Sequence, residues 1–256
     1  MSPPIHFEID QNQVGFITLN RPLKRNALNW AAMEAIAAIL QEISSRDDLC
    51  ALILVGEGDA FCAGGDLFEL HNYASRADGE RLANLMADAL AMLAKLPIPV
   101  IAAMEGPAVG GGAEIALACD LRVMAQSAQI GFPQIRLGII PTWGGLGRLL
   151  ELVGYARAFA WLSTGGMLDS QEAFGSGLIY RVVPDGQALS AARTLAQEYS
   201  AWDRATLHAL KSMLHAHLSL PTQEATALER SVFADLWTAQ AHREASSKFI
   251  NRRRTP

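Results

Sequence analysis

The sequence predicts an α/β fold in which most strands pair in parallel, followed by a helical C-terminal segment. Short apolar runs typical of strands alternate with longer runs of helical periodicity along the first 200 residues. This alternation is the pattern from which parallel sheets are built. From Trp202 onward no strand-like run remains. We therefore expect two parts, an α/β core of residues 1–200 and a helical region of residues 201–256.

The first elements are predicted to be a β-hairpin and a helix. IHFEID and VGFITLN alternate in polarity on either side of the polar tripeptide QNQ, which is typical of a hairpin. Asn29 is suited to cap a helix, because its side chain can accept a hydrogen bond from a free N–H of the first turn. The apolar residues that follow it recur at helical spacing: Met33, Ile36, Ala37, Leu40 and Ile43.

The later elements continue the alternation. The runs predicted as strands are ALILV (51–55), VIAAM, LRVMA and LIYRVV (178–183). Helices are predicted from about residue 78 to residue 95, where PIP ends the helix, from Gly111 or Gly112, from GRLLELVG, and beyond Gln187. QIGFPQIRLG is predicted to be extended and IIPTWGG to be a loop.

Composition excludes several classes of protein. With 256 residues, 50% hydrophobic and 18% charged, the chain can bury a sizeable core, and its net charge of -5 disfavours a nucleic-acid partner. The three cysteines form no CxxC pair, and His215 and His217 diverge on a helix, so neither a disulfide framework nor a metal site is expected. The N-terminus lacks the pattern of a secretory signal and no apolar run is long enough to span a membrane, so we expect a cytoplasmic protein.

A glycine-rich loop, GPAVGGGAE (106–114), lies between a predicted strand and a predicted helix. Loops at such positions often bind phosphate, but the sequence contains neither GxxxxGK[ST] nor GxSxG. GEGDAF begins like a dinucleotide-binding loop, yet Phe61 stands where the third glycine belongs and no helix is predicted to begin there. Another use of the exposed backbone is therefore expected.

Glycines at a helix start leave N–H groups unpaired and unshielded, and such groups can stabilise a developing oxyanion. Glu114, in the first helical turn, could then move a proton beside the polarised carbonyl. A second loop, FCAGGDL (61–67), could supply another N–H, and Asp66 is predicted to be a helix N-cap. A structural interpretation fits equally well, because glycines permit close packing and the helix dipole favours a glutamate in the first turn.

Four segments are similar, in order and spacing, to the enoyl-CoA hydratase/isomerase (crotonase) superfamily: NRPLKRNALN, FCAGGDL, GPAVGGGAEIALACD and GFPQIRLGIIPTWGGLGRLLELVG. The resemblance extends over nearly the whole chain. It implies a spiral of ββα units with a C-terminal helical region that forms trimers, often paired into hexamers. It also implies acyl-CoA thioester substrates, as in fatty acid metabolism, with coenzyme A as part of the substrate and no tightly bound cofactor.

The resemblance also assigns roles at the site. It implies that the N–H groups of Gly65 and Gly111 hold a thioester enolate and that Glu114 is the acid/base. Gln134 stands where hydratases of the family carry a second glutamate, and an amide exchanges no proton near neutral pH. This departure argues against hydration by two carboxylates and leaves isomerisation by one base, or decarboxylation, open.

The segment GIIPTWGG followed by RLLELVG resembles ethylmalonyl-CoA decarboxylase within the superfamily. Thr142 and Trp143 are accordingly placed in the substrate pocket, which Trp143 is expected to narrow because it replaces a small residue. Plain core filling is the alternative for Trp143, since large aromatic side chains are mostly buried for packing.

Contacts to coenzyme A are also carried over from the family. Lys24 and Arg25 correspond to the region that meets the nucleotide end, and Ala63 and Asp66 to the positions that bind the adenine and the pantetheine arm. Phe233 and Arg252 correspond to contacts from the C-terminal helices, commonly those of a neighbouring subunit. The basic tail equally fits a solvated chain end.

The leading hypothesis is a lyase or isomerase of the enoyl-CoA hydratase/isomerase type that acts on a short or branched acyl-CoA. A decarboxylase of a short branched malonyl-type acyl-CoA is the second hypothesis. A non-catalytic member that binds acyl-CoA or RNA is the third. Retention of Glu114 weighs against a non-catalytic protein, and the net negative charge weighs against RNA.

Overall fold

The structure is a computed structural model that describes residues 2–252, with the backbone alone for Arg252. Two compact units divide the described residues, and the boundary lies in the chain between Tyr199 and Ser200. Among these residues no helix is both long and apolar enough to cross a membrane.

The first unit contains two sheets built from the following strands: β1 (Ile5–Ile9), β2 (Val14–Leu19), β3 (Ala51–Gly56), β4 (Val100–Met104), β5 (Ala108–Val109), β6 (Leu121–Ala125), β7 (Gln129–Gly131), β8 (Met167–Asp169) and β9 (Arg181–Val183). The larger sheet has the order β1-β2-β3-β4-β6-β9, antiparallel between β1 and β2 and parallel elsewhere. The smaller sheet has the order β5-β7-β8. The predicted hairpin and the predicted parallel pairing are both confirmed.

The helices of the described chain are α1 (Trp30–Ser44), α2 (Leu67–Leu70), α3 (Arg76–Ala94), α4 (Gly111–Ala118), α5 (Gly145–Thr164), α6 (Ser170–Gly175), α7 (Ala188–Ser200), α8 (Arg204–Ser219), α9 (Thr222–Thr238) and α10 (Gln240–Arg252). Asn29 caps α1 as predicted, and its Oδ1 accepts a hydrogen bond from the N–H of Ala32 at 3.1 Å. The helix at the glycine loop begins at Gly111, one of the two predicted starts.

Two predicted strands are shorter than the sequence indicated. Residues 129–138 are extended only through Gly131, and Pro133–Leu137 forms a 3-10 helix. Proline at the first position favours helical backbone angles, which explains the change. In LIYRVV only Arg181–Val183 is a strand, because the N–H groups of Leu178 and Ile179 both donate to the carbonyl of Ala173 and so close α6.

Each face of the larger sheet carries a layer of apolar packing. One face is covered by α1, α3 and α4, and its core includes Met33, Leu52 and Leu90. The other face packs against α7, where Ile53 and Leu195 share a second core. Helix α4 therefore lies over the sheet, and the loops that follow β3 and β4 end beside its N-terminus.

The second unit consists, within its described residues, of α8, α9 and α10 after the end of α7. Helical structure beyond Gln187 was predicted and is confirmed. The helices expose many large apolar side chains, including Leu210, Leu214, Phe233 and Trp237.

Candidate active site

Two glycine loops, the one before α2 and the one before α4, are joined along their backbones. The N–H of Val109 donates to the carbonyl of Cys62 at 2.9 Å, and the N–H of Phe61 donates to the carbonyl of Pro107 at 3.1 Å. A Cβ on Gly64 would lie 2.9 Å from the N atom of Gly111, and Gly64 has a φ of +87°. Only glycine tolerates both the contact and the backbone angle, so Gly64 lets the two loops touch.

The N–H groups of Gly65 and Gly111 donate to no other group among the described residues. Gly111 is the first residue of α4, where N–H groups have no partner within the helix. On either side of Gly65, the carbonyl of Gly64 accepts from the N–H of Leu28, and the N–H of Asp66 donates to the carbonyl of Leu28. Neither bond uses the N–H of Gly65. Both donors named from the sequence are thus unpaired and lie in loops that touch.

Glu114 is almost fully buried, with 2% of its surface exposed, in the first turn of α4. Its Oε2 accepts hydrogen bonds from the N–H of Trp143 at 2.7 Å and the N–H of Gly145 at 3.0 Å. Its Oε1 accepts a longer bond of 3.3 Å from Nε2 of Gln134. Burial raises the pKa of Glu114 above its ordinary value, although these hydrogen bonds act in the opposite direction. A carboxyl whose pKa is raised toward neutrality is suited to take and return a proton.

The loop that binds the Glu114 carboxylate depends on two glycines. A Cβ on Gly145 would lie 2.5 Å from Cγ of Glu114, so any larger residue would displace the carboxylate. Gly144 has a φ of +89°, a conformation that glycine adopts at little cost. These backbone donors were not predicted from the sequence, in which the only signal is the pair of glycines after Trp143.

Gln134 lies in the 3-10 helix and is 7% exposed. Its Nε2 faces Glu114, while its Oε1 is buried and has no hydrogen-bond partner among the described residues. A buried acceptor without a partner is costly and is uncommon away from functional sites. The structure therefore brings Gln134 together with Glu114, as the sequence motif indicated.

Trp143 packs its indole against Gly111 and is 5% exposed. A Cβ on Gly111 would lie 2.1 Å from Cζ3 of the ring. The ring therefore fills the core and at the same time covers one side of the loop that carries a predicted donor. Thr142 is exposed, and it reaches Glu114 through its backbone.

The region assigned to coenzyme A is built around the loop before α2. Lys24 and Arg25 are exposed, and Nζ of Lys24 lies 5.5 Å from the centroid of the Phe68 ring. The N–H of Ala63 donates to the carbonyl of Arg25 at 3.0 Å, which joins the two predicted segments. Phe233 is exposed in the second unit, and the side chain of Arg252 lies outside the described residues.

Asp66 differs from its predicted role. Its backbone occupies the N-cap position of α2, but its side chain makes no capping bond. Its Oδ2 instead accepts a hydrogen bond of 2.9 Å from Nη2 of Arg21 in a largely buried ion pair. This ion pair connects Arg21, shortly before Lys24, to Asp66, the residue after Gly65.

A cavity of about 690 Å³ lies on the other face of the larger sheet and contains none of the predicted site residues. It is lined by residues of β2, β3 and the start of α7, among them Thr18, Val55 and Leu189, and by Glu105, which follows β4. Glu105 uses its carboxylate to accept hydrogen bonds from the N–H groups of Gly186 and Leu189, so its charge is already engaged at the start of α7. The candidate active site is therefore defined by the glycine loops and Glu114, away from this cavity.

Comparison with known proteins identifies relatives of the whole chain. The family model described as enoyl-CoA hydratase/isomerase matches residues 9–256. A protein named probable enoyl-CoA hydratase from Mycobacterium bovis is 35% identical over 249 residues, which cover 96% of this chain and 94% of that protein. A protein named ethylmalonyl-CoA decarboxylase from Rattus norvegicus is 32% identical over 247 residues, which cover 95% of this chain and 83% of that protein. The crystal structure of enoyl-CoA hydratase from Bacillus anthracis superposes with a TM-score of 0.92 at 31% identity and covers 99% of this chain and 98% of that one. The predicted α/β fold with a helical C-terminal region is confirmed, whereas the formation of trimers by that region stays a prediction.

Proposed function

Because the chain belongs to the enoyl-CoA hydratase/isomerase family and is a crotonase-type acyl-CoA enzyme, we propose that it transfers protons beside a thioester carbonyl. In this proposal the N–H groups of Gly65 and Gly111 bind the thioester oxygen and stabilise the enolate that forms there. Glu114 acts as the acid/base. The observation that carries the proposal is a buried, ionisable Glu114 on the same helix whose first N–H is unpaired.

With a single carboxylate, the simplest reaction is migration of a double bond. Glu114 removes a proton from one carbon of the acyl chain, and the electron pair passes into the enolate held by the two N–H groups. The same carboxyl then returns the proton at another carbon, so that no atom is gained or lost. Gln134 exchanges no proton, and its amide holds the Glu114 carboxylate through the bond from Nε2.

Decarboxylation is the second candidate, and Trp143 is the observation that favours it. The indole lies against Gly111 and restricts the space beside one predicted donor. Relatives named ethylmalonyl-CoA decarboxylase also match nearly the whole chain. In this reaction the bond between Cα and the carboxylate breaks, CO2 leaves, and the electron pair forms the enolate. Glu114 in its protonated form then supplies the proton to Cα.

A panel of thioesters separates these reactions. Enoyl-CoA, malonyl-CoA and ethylmalonyl-CoA would each be incubated with the enzyme and followed by mass spectrometry, with proton NMR to locate the double bond. A mass gain of one water indicates hydration, a loss of CO2 indicates decarboxylation, and an unchanged mass with a moved double bond indicates isomerisation. Glu114→Gln is the matched control, and turnover that persists in it would overturn the assignment of the base.

The third hypothesis, a non-catalytic binder of acyl-CoA or RNA, has weaker support. Burial raises the pKa of Glu114 despite its hydrogen bonds, so the ionised carboxylate carries a net cost that a protein without chemistry would gain little from keeping. Thioester binding without turnover across the panel would favour this hypothesis. RNA affinity that persists at physiological salt would favour its RNA-binding form.

The helical unit supports self-association as a homotrimer or a dimer of trimers. Its exposed apolar side chains, such as Leu210, Leu214 and Phe233, form more apolar surface than a solvated helix normally carries. Static light scattering at micromolar concentration tests this, and a stable monomer would contradict it.

A further inference from the structure

The loop that binds the Glu114 carboxylate is itself fixed by a residue outside the motifs. Both backbone polar groups of Trp143 form hydrogen bonds. Its N–H donates to Oε2 of Glu114 at 2.7 Å, and its carbonyl accepts from Nη1 of Arg148 at 3.0 Å. The next donor to the carboxylate, the N–H of Gly145, lies two residues further along. Arg148 therefore holds the same short loop through the carbonyl of Trp143.

Arg148 is anchored in turn to a different helix. Its Nη2 donates to the carbonyl of Leu90 in α3 at 3.0 Å. Leu90 is fully buried in the main core, so this anchor lies in a rigid part of the unit. The planar guanidinium presents both donors in a fixed geometry, which a lysine cannot reproduce. Arg148 thus links the loop to α3 by hydrogen bonds, in addition to the packing of Trp143 in the same core.

The charge of Arg148 also acts on the site. Burial lowers the pKa of Arg148, and the neighbouring Glu114 carboxylate raises it. The same attraction favours the ionised form of Glu114, although burial and the hydrogen bonds from the loop are the causes that dominate the pKa of that carboxyl. The other charged or titratable groups that act on Arg148 are Cys119, the residue after α4, and Glu151 in α5. The other groups that act on Glu114 are the N–H donors of its loop and the neutral amide of Gln134.

We propose that Arg148 is a positioning residue for Glu114, which fixes the loop of Trp143 and Gly145 against the catalytic carboxylate. The structural part of this proposal stands on the bonds that Arg148 makes to Trp143 and Leu90. Its consequence for turnover rests on the proposed function, in which Glu114 moves the proton. Arg148 contacts no reacting atom in this scheme.

The test follows the ionisation of Glu114 directly, so that it needs no known substrate. Protein labelled with ¹³C at the glutamate carboxyl would be titrated by NMR, with Glu114→Gln to identify the resonance. Arg148→Met removes both the charge and the donors, whereas Arg148→Lys keeps the charge. Arg76→Met is the matched control, because Arg76 is an exposed arginine of α3 that pairs only with Glu80 among the described residues.

In Arg148→Met the titration midpoint of Glu114 is expected to move to higher pH. It should stay unchanged in Arg76→Met. In Arg148→Lys it should still lie above the wild-type value, because lysine keeps the charge but cannot hold both carbonyls, and the donors that lower the pKa of Glu114 are then displaced. A full return to the wild-type value in Arg148→Lys would show that charge alone acts and would overturn the positioning role. If Arg148→Met fails to fold, Arg148→Gln carries the same test, because it is neutral and keeps one donor for the Trp143 carbonyl. An unchanged midpoint in a folded neutral variant would overturn the proposal.

Turnover provides a second and separate readout once a substrate is known. Misplacement of a catalytic group by about 1 Å can cost ~10²-fold in rate, so kcat is expected to fall on that scale in Arg148→Met while KM changes little. The low-pH limb of the kcat/KM profile should move to higher pH, since only the ionised carboxylate removes a proton. A shifted midpoint with no thioester turned over would overturn the proposed function alone. A shifted midpoint with full kcat would overturn the positioning role.

Discussion

Replacement of Gly111 by alanine tests how Trp143 and the start of α4 fit together. The added Cβ would lie 2.1 Å from Cζ3 and 2.4 Å from Cη2 of the indole. Carbon atoms in contact prefer a separation of about 3.5 Å, so the ring or the helix start must move by roughly 1.4 Å. Overpacking of this kind typically costs about 1–3 kcal/mol of the free energy of unfolding.

The same displacement is expected to reach the chemistry, because the backbone N–H of Trp143 binds the Glu114 carboxylate. A shift of about 1 Å at that carboxylate can lower turnover by ~10²-fold. Since Gly111 does not have a positive φ, alanine introduces no backbone strain there, and the steric contact with Trp143 remains the cause.

A double-mutant cycle with Trp143→Leu separates this cause from others. Trp143→Leu alone is expected to destabilise the fold, because it removes a buried ring. In its presence Gly111→Ala should cost less than about 1 kcal/mol, since the conflicting ring is absent. Urea unfolding measures the four free energies, and the panel of thioesters measures turnover. A Gly111→Ala protein with wild-type stability and full activity would refute the reasoning.

Three further substitutions test other parts of the site. Folding raises the pKa of Glu114, so its ionised form destabilises the protein at pH values above the folded pKa, and this penalty vanishes below the ordinary pKa of glutamate. In urea unfolding, Glu114→Gln should therefore stabilise the fold more at neutral pH than at acidic pH. Turnover should fall by at least ~10²-fold. An equal change in the free energy of unfolding at both pH values would contradict a buried, ionised carboxylate. Asp66→Ala leaves Arg21 unpaired in a largely buried setting and should cost about 3 kcal/mol in thermal unfolding, whereas a change below about 1 kcal/mol would show that the pair is dispensable. Gln134→Glu supplies a second carboxylate and should raise the rate of hydration of crotonyl-CoA while lowering the rate of any decarboxylation. Strong hydration by the wild type would show that one carboxylate suffices.

Local signals were sufficient for most of the fold. The cap at Asn29, the hairpin around QNQ and the start of α4 each depend on residues within a few positions of one another, and each is found where the sequence placed it. Strands β5 and β8 were not predicted because two or three residues carry no measurable periodicity. They exist through pairing with β7, which is a tertiary effect.

The parts of the site that escaped prediction are contacts between distant residues. The donors at Trp143 and Gly145 lie 29 and 31 residues from Glu114, and Arg21 lies 45 residues from Asp66. No periodicity or cap links such positions, so Arg148 and Arg21 resemble ordinary surface arginines in the sequence. The motif for Glu114 and Gln134 was informative because the resemblance carried a spatial relation that local chemistry could not supply.

The contact between the two glycine loops has a consequence for how this site can evolve. The candidate donors at Gly65 and Gly111 are backbone atoms, so exchange of side chains leaves their chemistry unchanged. Gly112 is also locked, since a Cβ there would lie 2.1 Å from the carbonyl of Cys62. Inherited change is therefore confined to the surrounding side chains, and Gln134 and Trp143 are positions where a lineage can alter the surroundings of Glu114 while the two backbone N–H groups stay in place.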